Sequence, residues 1–276
     1  VILFRKLVMK IAVVTTFNEK LYEYYAHKFM STYNWPFDCF VYYENNIDKV
    51  IDKHSYGLDG KTPFFYRNIN ETNPTLKDFA IRNEKRNQFS TIKGTDNSEI
   101  VYGMDFIKDA IRFSYKIYAK THLMLEGNYD YVFWIDADVM FKKTITEKEI
   151  IEKILPQDYT ICFLDRPQPP KYSECGFVGY NLTNNHTQRF VKELRRYYEE
   201  DLLFNEKQWH DSYVWDRVRE KTLTGQPQYI LTGIRKDGHV WPQSKIGTYL
   251  AHLKGKKKKD AGFDASDKSV NEGDYK

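Results

Sequence analysis

Two carboxylates one residue apart, Asp136 and Asp138, follow directly on the run Tyr131-Val-Phe-Trp-Ile135. Five large apolar residues in succession predict a strand buried on both faces. In a parallel sheet the ligand site lies outside the carboxyl ends of such strands. Hard oxygen donors separated only by Ala137 suit Mg²⁺ or Mn²⁺ bridging a diphosphate, where the metal would neutralise a nucleotide leaving group as charge builds on it. A second constellation stands near the other end of the chain, His252-Leu-Lys254-Gly255-Lys-Lys-Lys258. A neutral imidazole can supply a further metal ligand. Gly255 lets backbone approach a phosphate closely, and Lys254 and Lys258 can hold its oxygens. The same residues also fit plainer roles: an aspartate capping a strand end, a structural histidine leaving an apolar strand, and a solvated lysine tail.

The elements that must position these groups follow a strand–helix alternation. Ile11 to Thr16 is a β-branched, apolar run, Asn18 offers a helix cap, and Leu21, Tyr25 and Phe29 recur at fourfold spacing. A second strand is expected over Asp38–Tyr43 after Trp35-Pro36, which makes a βαβ unit and a parallel sheet. Residues 45–100 are polar and punctuated by Gly57, Gly60, Pro63 and Pro74, and read as an excursion from the sheet with one helix near 75–90. Ile107, Ile111, Ser114, Ile117, Thr121 and Leu125 share one helical face, with Arg112 and Lys116 on the other. Further helices are expected near 146–154, 186–203 and 210–220, and strands over 159–164, 175–180, 228–232 and 247–252. The fold class expected is therefore α/β, a mostly parallel central sheet flanked by helices in a single domain.

Composition narrows the function classes. The 276 residues carry a net charge of +4, with 42 Lys and Arg against 38 Asp and Glu. That is too small a basic excess for a chain that lives on nucleic acid, so no nucleic-acid partner is expected. Five lysines crowd into 254–259, so the excess is one local cluster. Such a cluster could also touch an anionic membrane surface, although no apolar face adjoins it. Cys39, Cys162 and Cys175 are odd in number and form no CxxC pair, which predicts reduced thiols and a cytoplasmic protein. No run of apolar residues is long enough to span a bilayer. Met9-Lys-Ile-Ala-Val-Val14 reads like a natural start, so 1–8 is expected to be an N-terminal extension, 9–258 the domain, and 259–276 a polar, disordered tail.

An apolar strand, Asp-Ala-Asp and a late His-x-x-Gly-x-x-Lys together resemble the nucleotide-sugar-dependent glycosyltransferases of the GT-A fold. The nearest likeness is to the glycogenin and lipopolysaccharide-galactosyltransferase group, although Lys259-Asp260 stands where that group carries Pro-Trp. The resemblance implies that Asp136, Asp138 and His252 bind Mn²⁺ (or Mg²⁺), and that Thr15, Thr16 and Phe17, at the end of the first strand, face the nucleotide base. It also places Arg112 and Lys116 near the donor, and Ser173 to Asn181 along the sugar pocket. In that strand the glycines could instead mark a bulge or close sheet–helix packing. Trp209-His-Asp211-Ser resembles an acceptor-side motif. There Asp211 would act as general base in an inverting enzyme, or would position the acceptor or stabilise the charged sugar in a retaining one. It also suits a plain helix-N-terminal acid. Trp209 would stack on a sugar or fill core.

The function expected is transfer of a sugar from a UDP- or GDP-linked donor to a glycan, lipid or protein hydroxyl, with Asp211 and Glu174 on the acceptor side. Two other functions use the same features. A metal-dependent nucleotidyltransferase would also need an acidic pair, but Thr15-Thr-Phe-Asn18 is not a glycine-rich phosphate loop. A non-catalytic carbohydrate-binding module would leave the acidic pair without a purpose.

Overall fold

The computed structural model describes residues 9–44, 47–86, 89–93, 100–104, 106–166, 172–233 and 240–253. Its frame is a seven-stranded sheet. In chain order the strands are β1 (Ile11–Phe17), β2 (Asp38–Tyr43), β3 (Phe64–Asn68), β4 (Phe89–Lys93), β5 (Ile100–Met104), β6 (Tyr131–Ile135), β7 (Val139–Phe141), β8 (Ile161–Leu164), β9 (Glu174–Asn181), β10 (Gln228–Ile230) and β11 (Leu250–His252). The central sheet has the order β10-β8-β9-β6-β1-β2-β3. All neighbouring pairs in it are parallel except those of β9, which runs antiparallel to both β6 and β8. Two small antiparallel pairs, β4–β5 and β7–β11, stand outside it. The principal helices are α1 (His27–Thr32), α2 (Pro74–Asn83), α3 (Ala110–Leu125), α4 (Asn185–Glu199) and α5 (Asp211–Leu223). This is the α/β architecture expected from the sequence.

Period-two alternation splits the sheet's side chains between two cores. Along β6, Tyr131, Phe133 and Ile135 enter one cluster, together with Val13, Phe29, Phe141 and Trp241. Val132 and Trp134 enter the other, with Val14, Ile117, Phe190 and Trp215. Every residue of β6 is therefore buried, as an unbroken apolar run in a sheet covered on both faces requires.

Three expectations change. The 45–100 segment is not wholly an excursion, because β3 within it forms the edge of the central sheet beside β2. Its residues Phe64–Asn68 are mostly half-exposed, so their pattern lacks the apolar density of the central strands. The strand expected over 247–252 begins as a 3₁₀ turn, Lys245–Thr248, and only Leu250–His252 is extended, paired with β7 instead of the central sheet. The third concerns α3: Ile107 and Leu125, expected on its apolar face, are exposed, whereas Asp109 is the buried N-cap, accepting from the Arg112 amide. Of the strand carrying Gly176 and Gly179, the irregularity is found, whereas the close approach at Gly179 is to the neighbouring strands β6 and β8 and not to a helix. The β8–β9 register shifts between Phe163 and Leu164, and Gly179 sits where a Cβ would lie 2.5 Å from the Phe133 ring and 2.6 Å from Cys162 Sγ. Gly179→Ala should therefore cost about 1–3 kcal/mol through overpacking. Urea unfolding would read this directly, and a change below about 0.5 kcal/mol would show that the core yields at that point.

Cys39, Cys162 and Cys175 are buried and unbridged, as the sequence predicted. No helix among the described residues is long and apolar enough to cross a membrane.

Candidate active site

β6 ends at Ile135 against a turn that aims both carboxylates into one cavity of about 700 Å³. The Asp136 amide donates to the Gly176 carbonyl (2.8 Å), and the Val139 amide returns to the Asp136 carbonyl (3.2 Å) to close the turn. The Trp134 indole donates to Asp136 Oδ1 at 2.8 Å. Ala137 is buried between the two acids. β7 then starts at Val139, and its antiparallel ladder with β11 sets His252 opposite Val139. The Leu253 amide donates to the Asp138 carbonyl at 2.8 Å. This ladder brings His252 Nε2 to 3.0 Å from Asp138 Oδ1.

One donor atom from each of Asp136, Asp138 and His252 lies within 4.8 Å of the others. Two carboxylate oxygens and an imidazole nitrogen form a donor set that suits a divalent cation such as Mn²⁺. The Trp241 ring packs 4.7 Å from the imidazole. Gly176 makes room for both rings, since a Cβ there would lie 3.0 Å from Trp241 and 3.5 Å from His252.

Lys116, projecting from α3, joins two parts of the cavity wall. Its ammonium lies 2.8 Å from Asp136 Oδ1 and 2.6 Å from Asp211 Oδ2. Burial alone would discharge Lys116, but the two carboxylates outweigh it and hold its pKa well above the usual lysine value. Asp211 shows the complementary balance: burial opposes its charge, yet Lys116 wins and the carboxyl is held below the usual aspartate value. Asp136 is pushed upward, first by burial and then by the nearby Asp138 and Asp211, with Lys116 only partly compensating. The site thus concentrates negative charge that a bound cation would relieve. Tyr25 also lines the cavity, and its phenol is pushed up by burial and by Asp138 and Asp136, so it stays a hydrogen-bond donor.

The remaining expected residues divide sharply. Thr16, Arg112 and Glu174 line the cavity. Thr16 Oγ1 donates to the Tyr42 carbonyl (2.8 Å), and Glu174 forms an ion pair with Arg166. Thr15 and Phe17 are fully buried and do not line the cavity. The alternation of β1 turns their side chains to the face opposite Thr16, which corrects their expected place against the base. Trp209 fills core: it packs edge-on to Phe204, donates to the Glu206 carbonyl and carries Lys108 over its face. Lys254, Gly255 and Lys258 lie outside the described residues.

Sequence reasoning passed over Tyr25, Arg166, Glu44 and Lys120. The first three sit on ordinary loops or helix faces, and no spacing links them to the acidic pair. Lys120 lies one turn beyond Lys116, fully buried, with no hydrogen-bond partner for its ammonium among the described residues. It stands 5.5 Å over the Trp134 ring, and burial pushes its pKa down. An unpaired buried cation opposes folding. Because its folded pKa is depressed, the unfolded chain binds more protons between that value and the ordinary 10.5. Stability attributable to Lys120 therefore rises with pH across this window. Lys120→Met should raise stability at pH 7 by about 1–4 kcal/mol and flatten that rise. Unfolding at pH 7 and pH 9.5 checks both, and a destabilised variant would contradict the assignment.

In fold and site, the chain has the α/β sheet and the acidic strand-end pair that the GT-A resemblance implies. No protein-family model matches it, and no curated protein matches it in sequence. Among solved structures, it is similar to mouse xyloside xylosyltransferase 1 at 13% identity and TM-score 0.48, over 81% of this chain and 85% of that one. It is also similar to WbbM, a bifunctional glycosyltransferase, at 13% identity and TM-score 0.49, over 90% of this chain and 46% of that one. The glycosyltransferase GlyE of Streptococcus pneumoniae aligns at 11% identity and TM-score 0.45, over 79% of this chain and 44% of GlyE. The chain thus spans less than half the length of WbbM and of GlyE.

Proposed function

We propose that the protein transfers a sugar from a nucleotide diphosphate sugar to an acceptor hydroxyl, with a divalent cation held by Asp136, Asp138 and His252. The observation that carries this reading is the convergence of these three side chains, from the β6–β7 turn and β11, in a cavity that also holds Lys116. A bound Mn²⁺ or Mg²⁺ would supply charge neutralisation for the diphosphate as it departs, and the imidazole in the donor set favours Mn²⁺ over Mg²⁺.

The chain's own residues do the rest. Lys116 orients Asp136 and partly offsets the burial that raises its pKa, and Arg112 adds a second positive charge on the same helix toward the donor. Lys254, Gly255 and Lys258 follow His252 directly in sequence and are the residues proposed to hold the phosphate oxygens. On the acceptor side, Glu174 is oriented by Arg166. In the transfer, the acceptor oxygen bonds to the anomeric carbon, the bond from that carbon to the diphosphate oxygen breaks with its electron pair on the diphosphate, and the hydroxyl proton passes to the departing diphosphate. A carboxylate with a depressed pKa, clamped at 2.6 Å by an ammonium, is a weak proton acceptor. Asp211 is therefore better suited to positioning Lys116 and stabilising positive charge on the sugar than to acting as general base. The acceptor is a glycan, lipid or protein hydroxyl.

Thermal melting with Mn²⁺ plus UDP or GDP tests the donor site, and release of nucleotide diphosphate from a panel of nucleotide sugars tests the reaction. The expected result is a metal-dependent rise in Tm with at least one nucleotide and turnover of a matching sugar donor. A flat melting temperature with both nucleotides, in the presence of Mn²⁺, would refute the transferase reading.

A further inference from the structure

Asp136 carries a contact that neither a metal ligand nor an ion pair requires. Trp134 precedes it by two residues, so the period-two alternation of β6 sets both side chains on one face. The indole lines the cavity yet is only 1% exposed, packed in the core with Val14, Ile117 and Trp215. The ammonium groups of Lys116 and Lys120, one turn apart on α3, stand 5.6 and 5.5 Å from the centre of its ring. Strand, core and helix together fix where the ring N–H points. It points at Asp136 Oδ1, 2.8 Å away.

The two oxygens of Asp136 are therefore not equivalent. Oδ1 meets the indole proton and has the Lys116 ammonium at 2.8 Å as well. Among the described residues, Oδ2 has only that ammonium, at 3.0 Å. Each carboxylate oxygen accepts along about two lone-pair directions, so Oδ1 is filled and Oδ2 keeps one open. A cation can take Oδ2 and leave the indole bond intact. To take both oxygens it must displace a buried N–H that has no other acceptor among the described residues. Leaving that donor unpaired costs about 5- to 100-fold in affinity.

Resting on the transferase reading and its metal site, we propose that Trp134 is a positioning residue that restricts Asp136 to coordination through one oxygen and thereby sets which divalent cation the site accepts. Mg²⁺ demands six ligands in near-ideal octahedral geometry, and Mn²⁺ suits the same set, so one oxygen from each carboxylate serves them. Ca²⁺ fills six to eight positions and gains from carboxylates that give both oxygens. It is the cation that the indole bond penalises. The His252 nitrogen also disfavours Ca²⁺, so the share belonging to Trp134 is the part of the preference that vanishes with its N–H.

The test is calorimetric titration of Mn²⁺ and of Ca²⁺ into the full chain, alone and with UDP or GDP, for the wild type and Trp134→Phe. Phenylalanine keeps an aromatic ring in the core and removes the donor. The wild type should bind Mn²⁺ more tightly than Ca²⁺, and Trp134→Phe should shrink that ratio by about 5- to 100-fold, because Ca²⁺ gains the second oxygen. A tryptophan that only fills core would weaken both metals alike. An unchanged ratio in Trp134→Phe, or equal binding of the two metals by the wild type, therefore overturns the inference and leaves the transferase reading standing. Binding of neither metal by the wild type, with or without nucleotide, overturns the metal site and this inference with it. Indole ¹⁵N NMR of the wild type makes the test independent of how well the variant folds. The Trp134 Nε1–H resonance, assigned through the backbone of β6, should hold its hydrogen-bonded position when Mg²⁺ is added. A move to the position of a free indole overturns the assignment.

Discussion

Replacing Lys116 with methionine should destabilise the protein by about 3–5 kcal/mol at neutral pH, the usual cost of removing one partner from a buried ion cluster. Among the described residues the ammonium alone is hydrogen-bonded to both Asp136 and Asp211, and its side chain is only 18% exposed. Without it, two carboxylates that share the cavity with Asp138 lose their compensating charge. The pH dependence follows from the two carboxyl shifts. The pKa of Asp211 is depressed, so its stabilisation is present above the ordinary 3.8 and is lost as pH falls through its lower folded value. Asp136 is raised, so it already opposes folding at neutral pH and is relieved on protonation. The penalty of Lys116→Met should therefore shrink on acidification, as the stranded carboxyls take up protons. On the alkaline side, Lys116 itself contributes fully below 10.5, and that contribution fades as pH rises through its raised folded pKa. Chemical unfolding at pH 7 and pH 4 measures the difference. A variant within 1 kcal/mol of wild type at pH 7 would mean that the cluster is not the electrostatic keystone of the site.

Asp138→Asn should instead spare the fold and remove the function. Asp138 is buried at the turn between β6 and β7, within reach of His252. Asparagine keeps its shape but loses the charge that a divalent cation needs from a carboxylate ligand. Loss of several kcal/mol of leaving-group stabilisation corresponds to about a thousandfold fall in turnover. The nucleotide- and Mn²⁺-dependent rise in Tm should disappear, while the melting temperature without ligands stays near that of the wild type. His252→Ala should give a milder version, with metal affinity falling more than maximal rate. If Asp138→Asn retained full metal-dependent turnover, the three-residue metal site would be wrong. The contrast between the two variants is informative: on the proposed function the lysine holds charge within the protein, whereas the aspartate would hold charge for the ligand.

The parts of the molecule legible in the sequence are those whose physics is local. Tyr131–Ile135 is a continuous apolar run, and a strand buried on both faces can hardly be written otherwise. Asp136 and Asp138 follow it at once, so their place at a sheet's carboxyl edge could be inferred. Asn18 as a cap and the middle of the apolar face of α3, Ser114, Ile117 and Thr121, are equally local, each a matter of one turn of chain. Residues 64–68 were harder to read, because a short edge strand needs apolar contacts on only part of its surface.

What only the tertiary structure decided is which distant groups meet. Lys116 and Asp211 are 95 residues apart in sequence and 2.6 Å apart in space. Asn18 reaches Glu44 only because the β1–β2 register ends both strands level. Strand alternation alone turns Thr16 into the cavity and buries Thr15 and Phe17, a choice that composition cannot express. Likewise, His252 is a histidine after a short apolar stretch until β11 pairs with β7 and sets it beside Asp138. Apolar periodicity records how much of each residue is removed from water. It carries no record of which charged neighbour waits on the other side, and in this protein those neighbours make the site.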